Sequence, residues 1–262
     1  MTDGSVALTL REARIKRRKV APLGARAPGT EEDAYAVQRE LAEAAGAIPP
    51  AGFKVGATNP AMQAYLGIAH PAAGFMPASS LRPSGLCTPH NDWLSPGTEC
   101  EIALRLGAGL PFTGAMPSRA EAAAAVTAVL PAIEIVENRY TDLHAVGAPT
   151  LIADQFFHAA AVLGPETRID PEALAAGALR DLSGRMTIDG AVFGEGRGEA
   201  LLGDPLEVLR WLAASEAARA FGGLRAGQVV LCGSVTLPAW LEGPALVEVS
   251  FESLGEVSVR FA

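Results

Sequence analysis

Thr98 to Leu106 constrains the fold more than any other stretch of this chain. Cys100, Ile102, Leu104 and Leu106 alternate there with Glu99, Glu101, Ala103 and Arg105, the period-two pattern of a β-strand. Both glutamates therefore leave one face, roughly 6–7 Å apart at Cα given the strand rise. Carboxylates this close repel unless water, an arginine or a cation lies between them. A second segment, Pro131-Ala132-Ile133-Glu134-Ile135-Val136-Glu137, sets Ile133 and Ile135 on one face and Glu134 on the other, among apolar neighbours. A carboxylate buried alone is costly, so Glu134 needs a partner. Spacing leaves two readings open. Glu99 and Glu101 can sit on a solvent-facing strand while Glu134 pairs with an arginine, or the three carboxylates can hold one divalent cation. All-oxygen ligation would select Mg²⁺, Mn²⁺ or Ca²⁺ over zinc.

The flanking sequence predicts amphipathic helices over 5–20 and 31–46, the second capped by Thr30 and carrying Glu31, Glu32 and Asp33 in its first turn, where the helix dipole favours negative charge. A short apolar segment around Phe53-Lys54-Val55 precedes a helix-like stretch from Pro60 to Leu66. From about residue 75 short strands dominate, interrupted by two helices. One is opened by Ser118 with Glu121 and runs towards Leu130; the other is opened by Asp204-Pro205 and runs through Trp211. The tail reads as strands over 228–232, 245–251 and 256–261. Strand runs with a few helices indicate α+β rather than regular βαβ alternation. A soft boundary near 75–80 divides a helical N-terminal α/β part (1–78) from a β-rich part (79–262).

With 49% hydrophobic and 19% charged residues, the chain can bury a substantial core. A net charge of −8 argues against nucleic acid as a partner. The basic run Arg14-Ile15-Lys16-Arg17-Arg18-Lys19 reads as a solvated helix face. Cys87, Cys100 and Cys232 lie far apart without a CxxC pair, which suggests reduced thiols in a cytoplasmic protein. No window resembles a signal peptide or a membrane span. Lys54 stands out because the only other lysines are Lys16 and Lys19. Between glycines and apolar residues it can carry a proton-transfer role or snorkel to the surface.

Several ordered motifs resemble the 2-keto-4-pentenoate hydratases of the fumarylacetoacetate hydrolase superfamily, from about residue 30 to the C-terminus. They are Gly52-Phe53-Lys54-Val55-Gly56-Ala57-Thr58, Met62-Gln63 with Leu66-Gly67, Glu99-Cys100-Glu101-Ile102-Ala103, Pro131 to Arg139, Ile152-Ala153-Asp154, Leu202-Gly203-Asp204-Pro205 and Leu224 to Val230. The resemblance implies an α+β fold, a mixed β-roll bearing the site behind a smaller α/β N-terminal part. It implies Glu99, Glu101 and Glu134 as ligands of Mg²⁺ (or Mn²⁺), Lys54 as the active-site lysine, and a homo-oligomer. Asp154 is then a candidate base or orienter, or a cap of the following turn. Gly56 belongs to the substrate-side motif, and Thr236 can bind the substrate carboxylate or satisfy a turn.

The implied reaction is hydration of a 2-hydroxy-2,4-dienoate, or 2-oxo-enoate, of aromatic-compound catabolism. Three departures bear on it. Ala72 stands where such enzymes carry an aspartate in Pro-Asp-Phe-Gly. Gln155-Phe156-Phe157 replaces Asn-Ala-Ser, and Cys232-Gly233-Ser234 replaces Thr-Gly-Ala. Decarboxylation of a 2-oxo diacid needs no water nucleophile, so Ala72 disfavours it less. C–C hydrolysis of an acylpyruvate needs a base such as a His–Glu pair; His144 and His158 are the nearest candidates, and neither sits in a recognisable pair. A third possibility is a catalytically weak 2-oxo acid binder or complex partner whose pocket Phe156 and Phe157 fill.

Overall fold

The computed structural model describes residues 5–262, so residues 1–4 of the expected N-terminal part lie outside the described residues. Helix α1 (Val6–Ile15) starts at Ser5, whose side chain accepts from the Leu8 N–H. It stops short of the expected residue 20. Arg17 takes a left-handed φ of 50°, and Val20 forms a bridge to Tyr140. Helix α2 (Glu31–Ala44) opens on a reciprocal Thr30–Asp33 capping box, a feature worth about 1 kcal/mol. Strand β1 (Gly52–Gly56) leads into α3 (Pro60–Leu66), capped by Asn59 and ended by Gly67 at φ 68°.

Strands β2 (Ala72–Met76), β3 (Leu81–Pro83), β4 (Leu86–Thr88) and the long β5 (Pro96–Leu106) follow. Helix α4 (Arg119–Ala125) has the expected Ser118–Glu121 capping box but ends five residues before Leu130. Val126 and Thr127 are β-branched, favour strand, and open β6 (Val126–Glu137), which pairs with β5 along its whole length. Helix α5 (Ala148–Ala153), β7 (His158–Leu163), α6 (Pro171–Ala176), β8 (Ser183–Ile188) and β9 (Ala191–Arg197) come next. Asp204 caps α7 (Pro205–Ala214) with Pro205 in its first turn, as the sequence predicts, and α8 (Glu216–Phe221) follows. The chain ends in β10 (Val229–Ser234), β11 (Ala239–Trp240), β12 (Ala245–Phe251) and β13 (Gly255–Phe261). Helices α5, α6 and α8 are each six residues long, too short for their apolar periodicity to separate from strand.

The strands form two mixed sheets. The larger runs β2-β1-β10-β5-β6-β7-β3, with β11 added to β5; the smaller runs β4-β13-β12-β8-β9. The fold is α+β, as expected. The division expected near residue 78 falls within the larger sheet, because β1 pairs in parallel with β10 and antiparallel with β2. One apolar cluster also runs through both parts, from Leu10 and Tyr35 to Phe251 and Phe261.

The two faces of the larger sheet differ. Phe53, Phe75, Ile102, Leu104, Ile133 and Val230 belong to the main core, where Phe53 and Phe75 meet the Phe221 ring of α8. On the opposite face Met76, Ala103, Leu130, Ala132, Ala161, Val229 and Leu231 make a separate small apolar cluster. Lys54, Glu99, Glu101 and Glu134 share this second face by strand alternation and register.

Candidate metal centre and active site

Register brings the three carboxylates together. Glu99 is the direct cross-strand partner of Glu134, and Glu101 is that of Ala132. One oxygen from each of Glu99, Glu101 and Glu134 lies within 4.8 Å of the others. Glu101 and Glu134 are fully buried, whereas Glu99 is half-buried. Among the described residues Glu101 Oε1 is buried without a hydrogen-bond partner, and Glu134 Oε2 has Lys54 Nζ as its ion-pair partner. A buried oxygen left unsatisfied, in an all-carboxylate set, suits a hard divalent cation. The solvent-facing alternative therefore fails for Glu101, and Glu134 meets a lysine and a histidine rather than an arginine.

Lys54 is buried, with Nζ 3.2 Å from Glu134 Oε2 and 5.2 Å from the Phe156 ring centre, a cation–π distance. Burial pulls its pKa down, but attraction to Glu134, Glu99 and Glu101 outweighs this and leaves it raised. Glu134 is held below the usual range because Lys54 and His158 outweigh the cost of its burial. Burial pushes Glu99 up to about 7, with Lys54 opposing and Glu134 reinforcing. Burial, followed by repulsion from Glu134 and Glu99, pushes Glu101 well above the carboxylate range. The cluster thus carries more negative charge than Lys54 neutralises.

Two bulges complete the site. On β7, Ala160 pairs with Ile135 but His158 pairs with Val136, so one residue is looped out and His158 joins the Glu134 face. His158 Nδ1 lies 2.8 Å from Glu134 Oε1, and its Nε2 is 2.9 Å from Ser80 Oγ. No His–Glu pair is recognisable along the sequence, but the fold makes one; His158 is buried and absent from the pocket lining, so it positions Glu134. Burial also lowers its pKa, against the pull of Glu134. On β10 a second irregularity, between Leu231 and Ser234, lets the Gly233 N–H donate to Glu101 Oε2 at 2.7 Å.

The site opens on a cavity of about 400 Å³ lined by Lys54, Gly56, Glu99, Thr236 and apolar side chains, with Phe156 and Phe157 in its wall rather than filling it. A Cβ on Gly56 would come within 2.6 Å of the Phe156 ring and 3.3 Å of Lys54 Nζ, so glycine makes room for both. Thr236 is half-buried and donates to the Leu237 carbonyl at 3.1 Å. Asp154 is not in the lining. It accepts from Arg14 Nε at 2.9 Å, from Tyr140 OH at 3.0 Å and from Arg139. Burial raises its pKa, but the two arginines prevail and hold it low. It braces the next three residues, Gln155, Phe156 and Phe157, whose φ values of 60°, 49° and 69° are all left-handed. Such backbone costs roughly 1–3 kcal/mol per residue and persists only where the surroundings enforce it. Arg14 thus leaves the solvated face the sequence predicts for its basic run. Ala72 is buried opposite Gly56 in the β1–β2 pair, also away from the lining.

The fumarylacetoacetate (FAA) hydrolase C-terminal family matches residues 54–262. A 2-keto-4-pentenoate hydratase of Paraburkholderia phymatum is 33% identical over 261 residues, covering 98% of this chain and 97% of the relative. A 4-oxalocrotonate decarboxylase of Pseudomonas putida is 29% identical over 240 residues, covering 88% and 86%. Among solved structures, 4-oxalocrotonate decarboxylase from Pseudomonas putida complexed with magnesium and adipate superposes with a TM-score of 0.86 at 26% identity, covering 98% of this chain and 95% of that one.

Proposed function

The chain belongs to the fumarylacetoacetate hydrolase family, and from that membership we propose that it is a Mg²⁺-dependent hydro-lyase adding water to a 2-hydroxy-2,4-dienoate, the enol of a 2-oxo-enoate, of aromatic-compound catabolism. The observation that carries the reading is the cluster of Glu99, Glu101 and Glu134, with Glu101 Oε1 buried and unpartnered, beside a buried lysine at a pocket. The full-length likeness to a named hydratase supports the same class, and the magnesium complex of the structural neighbour supports the ion.

Glu99, Glu101 and Glu134 would hold the cation, which supplies Lewis-acid stabilisation of negative charge on a chelated 2-oxo acid. His158 fixes the rotamer of Glu134, and the Gly233 N–H fixes that of Glu101. Lys54 Nζ, charged and shielded by Phe156, is placed to bind the substrate carboxylate or to carry the proton exchanged at carbon. In the net reaction the enol O–H proton is lost and C5 is protonated, giving a conjugated ketone. Water then adds OH at C4 and H at C3, giving a 4-hydroxy-2-oxo acid. Lys54, Glu99 and Tyr65 are the titratable side chains in the lining among the described residues; His158 and Asp154 are committed elsewhere. Ser234 offers a hydroxyl to the substrate's carboxylate end, and Thr236 can do so by turning its hydroxyl away from the Leu237 carbonyl.

The test is to supply Mg²⁺ and 2-hydroxypenta-2,4-dienoate, follow the dienol absorbance, and identify the product. A 4-hydroxy-2-oxo acid formed only with metal is expected; dienol loss without that product sinks the hydratase reading, and turnover unaffected by EDTA sinks the metal. We also propose a homo-oligomer, which a monomer on size exclusion would refute.

A further inference from the structure

We infer that the half of the pocket remote from the glutamates takes an uncharged apolar tail, so that the substrate is a monocarboxylic 2-oxo or 2-hydroxydienoic acid carrying an alkyl or aryl group beyond C5, not a diacid. The inference rests on the proposed chelation of the acid end at Glu99, Glu101 and Glu134, and deepens it.

One register step along β5 and β6 from the Glu99–Glu134 pair lies the Gly97–Val136 pair, roughly 6–7 Å away and on the same face. A Cβ on Gly97 would approach the Trp240 ring to 2.9 Å and Val136 Cγ2 to 3.1 Å. Glycine there lets the indole lie against the strand, directly beyond the carboxylates. Met62 and Leu66 from α3, Leu143 and Phe157 face the same cavity. Two amides also line it, and the oxygen of each is engaged with backbone. Asn59 Oδ1 accepts from the Met62 N–H and Asn138 Oδ1 from the Tyr140 N–H.

Charge decides between tail classes. Among the described residues, Lys54 is the one cation in the lining, and it already faces Glu134. His144 is absent from the lining, its imidazole centre 6.2 Å from the ring centre of Tyr65. A second carboxylate in this half would lose water without gaining a cation as partner, while each added methylene would gain apolar contact. The cavity of about 400 Å³ falls within the range that receives drug-sized ligands, leaving space past a five-carbon acid.

Calorimetry on the full-length protein with Mg²⁺ tests this with unreactive acids that share the same chelating head: 2-oxopentanoate, 2-oxohexanoate, 2-oxooctanoate, 4-phenyl-2-oxobutanoate and 2-oxoadipate. Affinity is expected to rise about fourfold per methylene along the alkyl series. 2-Oxoadipate should bind roughly 100-fold more weakly than 2-oxohexanoate, and Leu143→Arg should narrow or reverse that gap. Equal affinity for the six-carbon monoacid and diacid overturns the inference, as does a flat alkyl series or no binding by any acid. The reaction is read separately: absent hydration with an intact affinity series refutes the hydro-lyase reading alone.

Discussion

Replacing Glu101 by glutamine should stabilise the metal-free protein while abolishing its response to metal. Glu101 is fully buried, one oxygen accepts from Gly233, and the other has no partner. Burial and the two neighbouring glutamates raise its pKa well above the ordinary 4.5, so the folded carboxyl keeps a proton that the unfolded chain releases. A carboxyl raised in this way favours folding least at high pH: its relative contribution is greatest below 4.5 and is lost as pH rises towards the folded value. Retaining that proton costs stability, and the cost grows as pH rises from 4.5 towards the folded value. Glutamine does not titrate, its carbonyl can still take the Gly233 N–H, and its amide can donate to Glu99 or Glu134. In EDTA at pH 7 the variant should melt above the wild type, by about 2–4 °C for each kcal/mol regained, and the gap should narrow at pH 5. Mg²⁺ at 100 times its dissociation constant adds about 2.7 kcal/mol to the wild type and little to the variant. Thermal melts by circular dichroism at both pH values, with and without Mg²⁺, give all four numbers. If Glu101→Gln melts below the wild type in EDTA at pH 7, or if Mg²⁺ shifts both proteins equally, the reasoning is wrong.

Lys54→Met should lower kcat by roughly 10²–10⁴ and weaken the metal-free fold by leaving Glu134 unpaired, so its Mg²⁺-induced gain in Tm should exceed that of the wild type; an unchanged kcat would remove Lys54 from the chemistry. His158→Asn should reduce metal affinity roughly 10–100-fold with activity largely recovered at saturating Mg²⁺, whereas unaltered affinity would reduce the bulge on β7 to a packing feature. Because the Glu99 proton leaves at about pH 7 and Glu101 is raised as well, metal affinity should climb as pH rises through neutrality, with proton release measurable by calorimetry in buffers of different ionisation enthalpy. Asp154→Asn, which leaves Arg14 and Arg139 facing a neutral group, should destabilise the fold by roughly 3–5 kcal/mol without moving the pH profile of the remaining activity; a shifted profile would make Asp154 a catalytic group after all.

Local sequence determined the elements whose signals are short-ranged. Thr30, Ser118 and Asp204 cap helices because a side-chain oxygen two or three residues from an unpaired N–H needs no distant help. Alternation put Glu99 and Glu101 on one face of β5, since a strand's period is fixed by its backbone. Where propensity and pairing competed, pairing won: the alanine-rich run after Ser118 reads as one helix, yet from Val126 it belongs to β6, held by the neighbouring β5. The motif pattern also carried the three glutamates and Lys54 as a set, which spacing alone did not.

Tertiary structure decided what surrounds that set. Glu134 faces Glu99 only through the β5–β6 register, which no local period encodes. His158 reaches Glu134 because a bulge reverses the alternation of β7, so counting residues from Ala161 would assign it to the wrong face. Arg14 meets Asp154 across 140 positions of chain, turning a residue that looked like a base or a cap into a buried brace for Phe156 and Phe157. Sequence thus set the chemical types and the face of each strand, while burial and long-range register set which charges must share a site, and an electrostatic cost depends on that sharing.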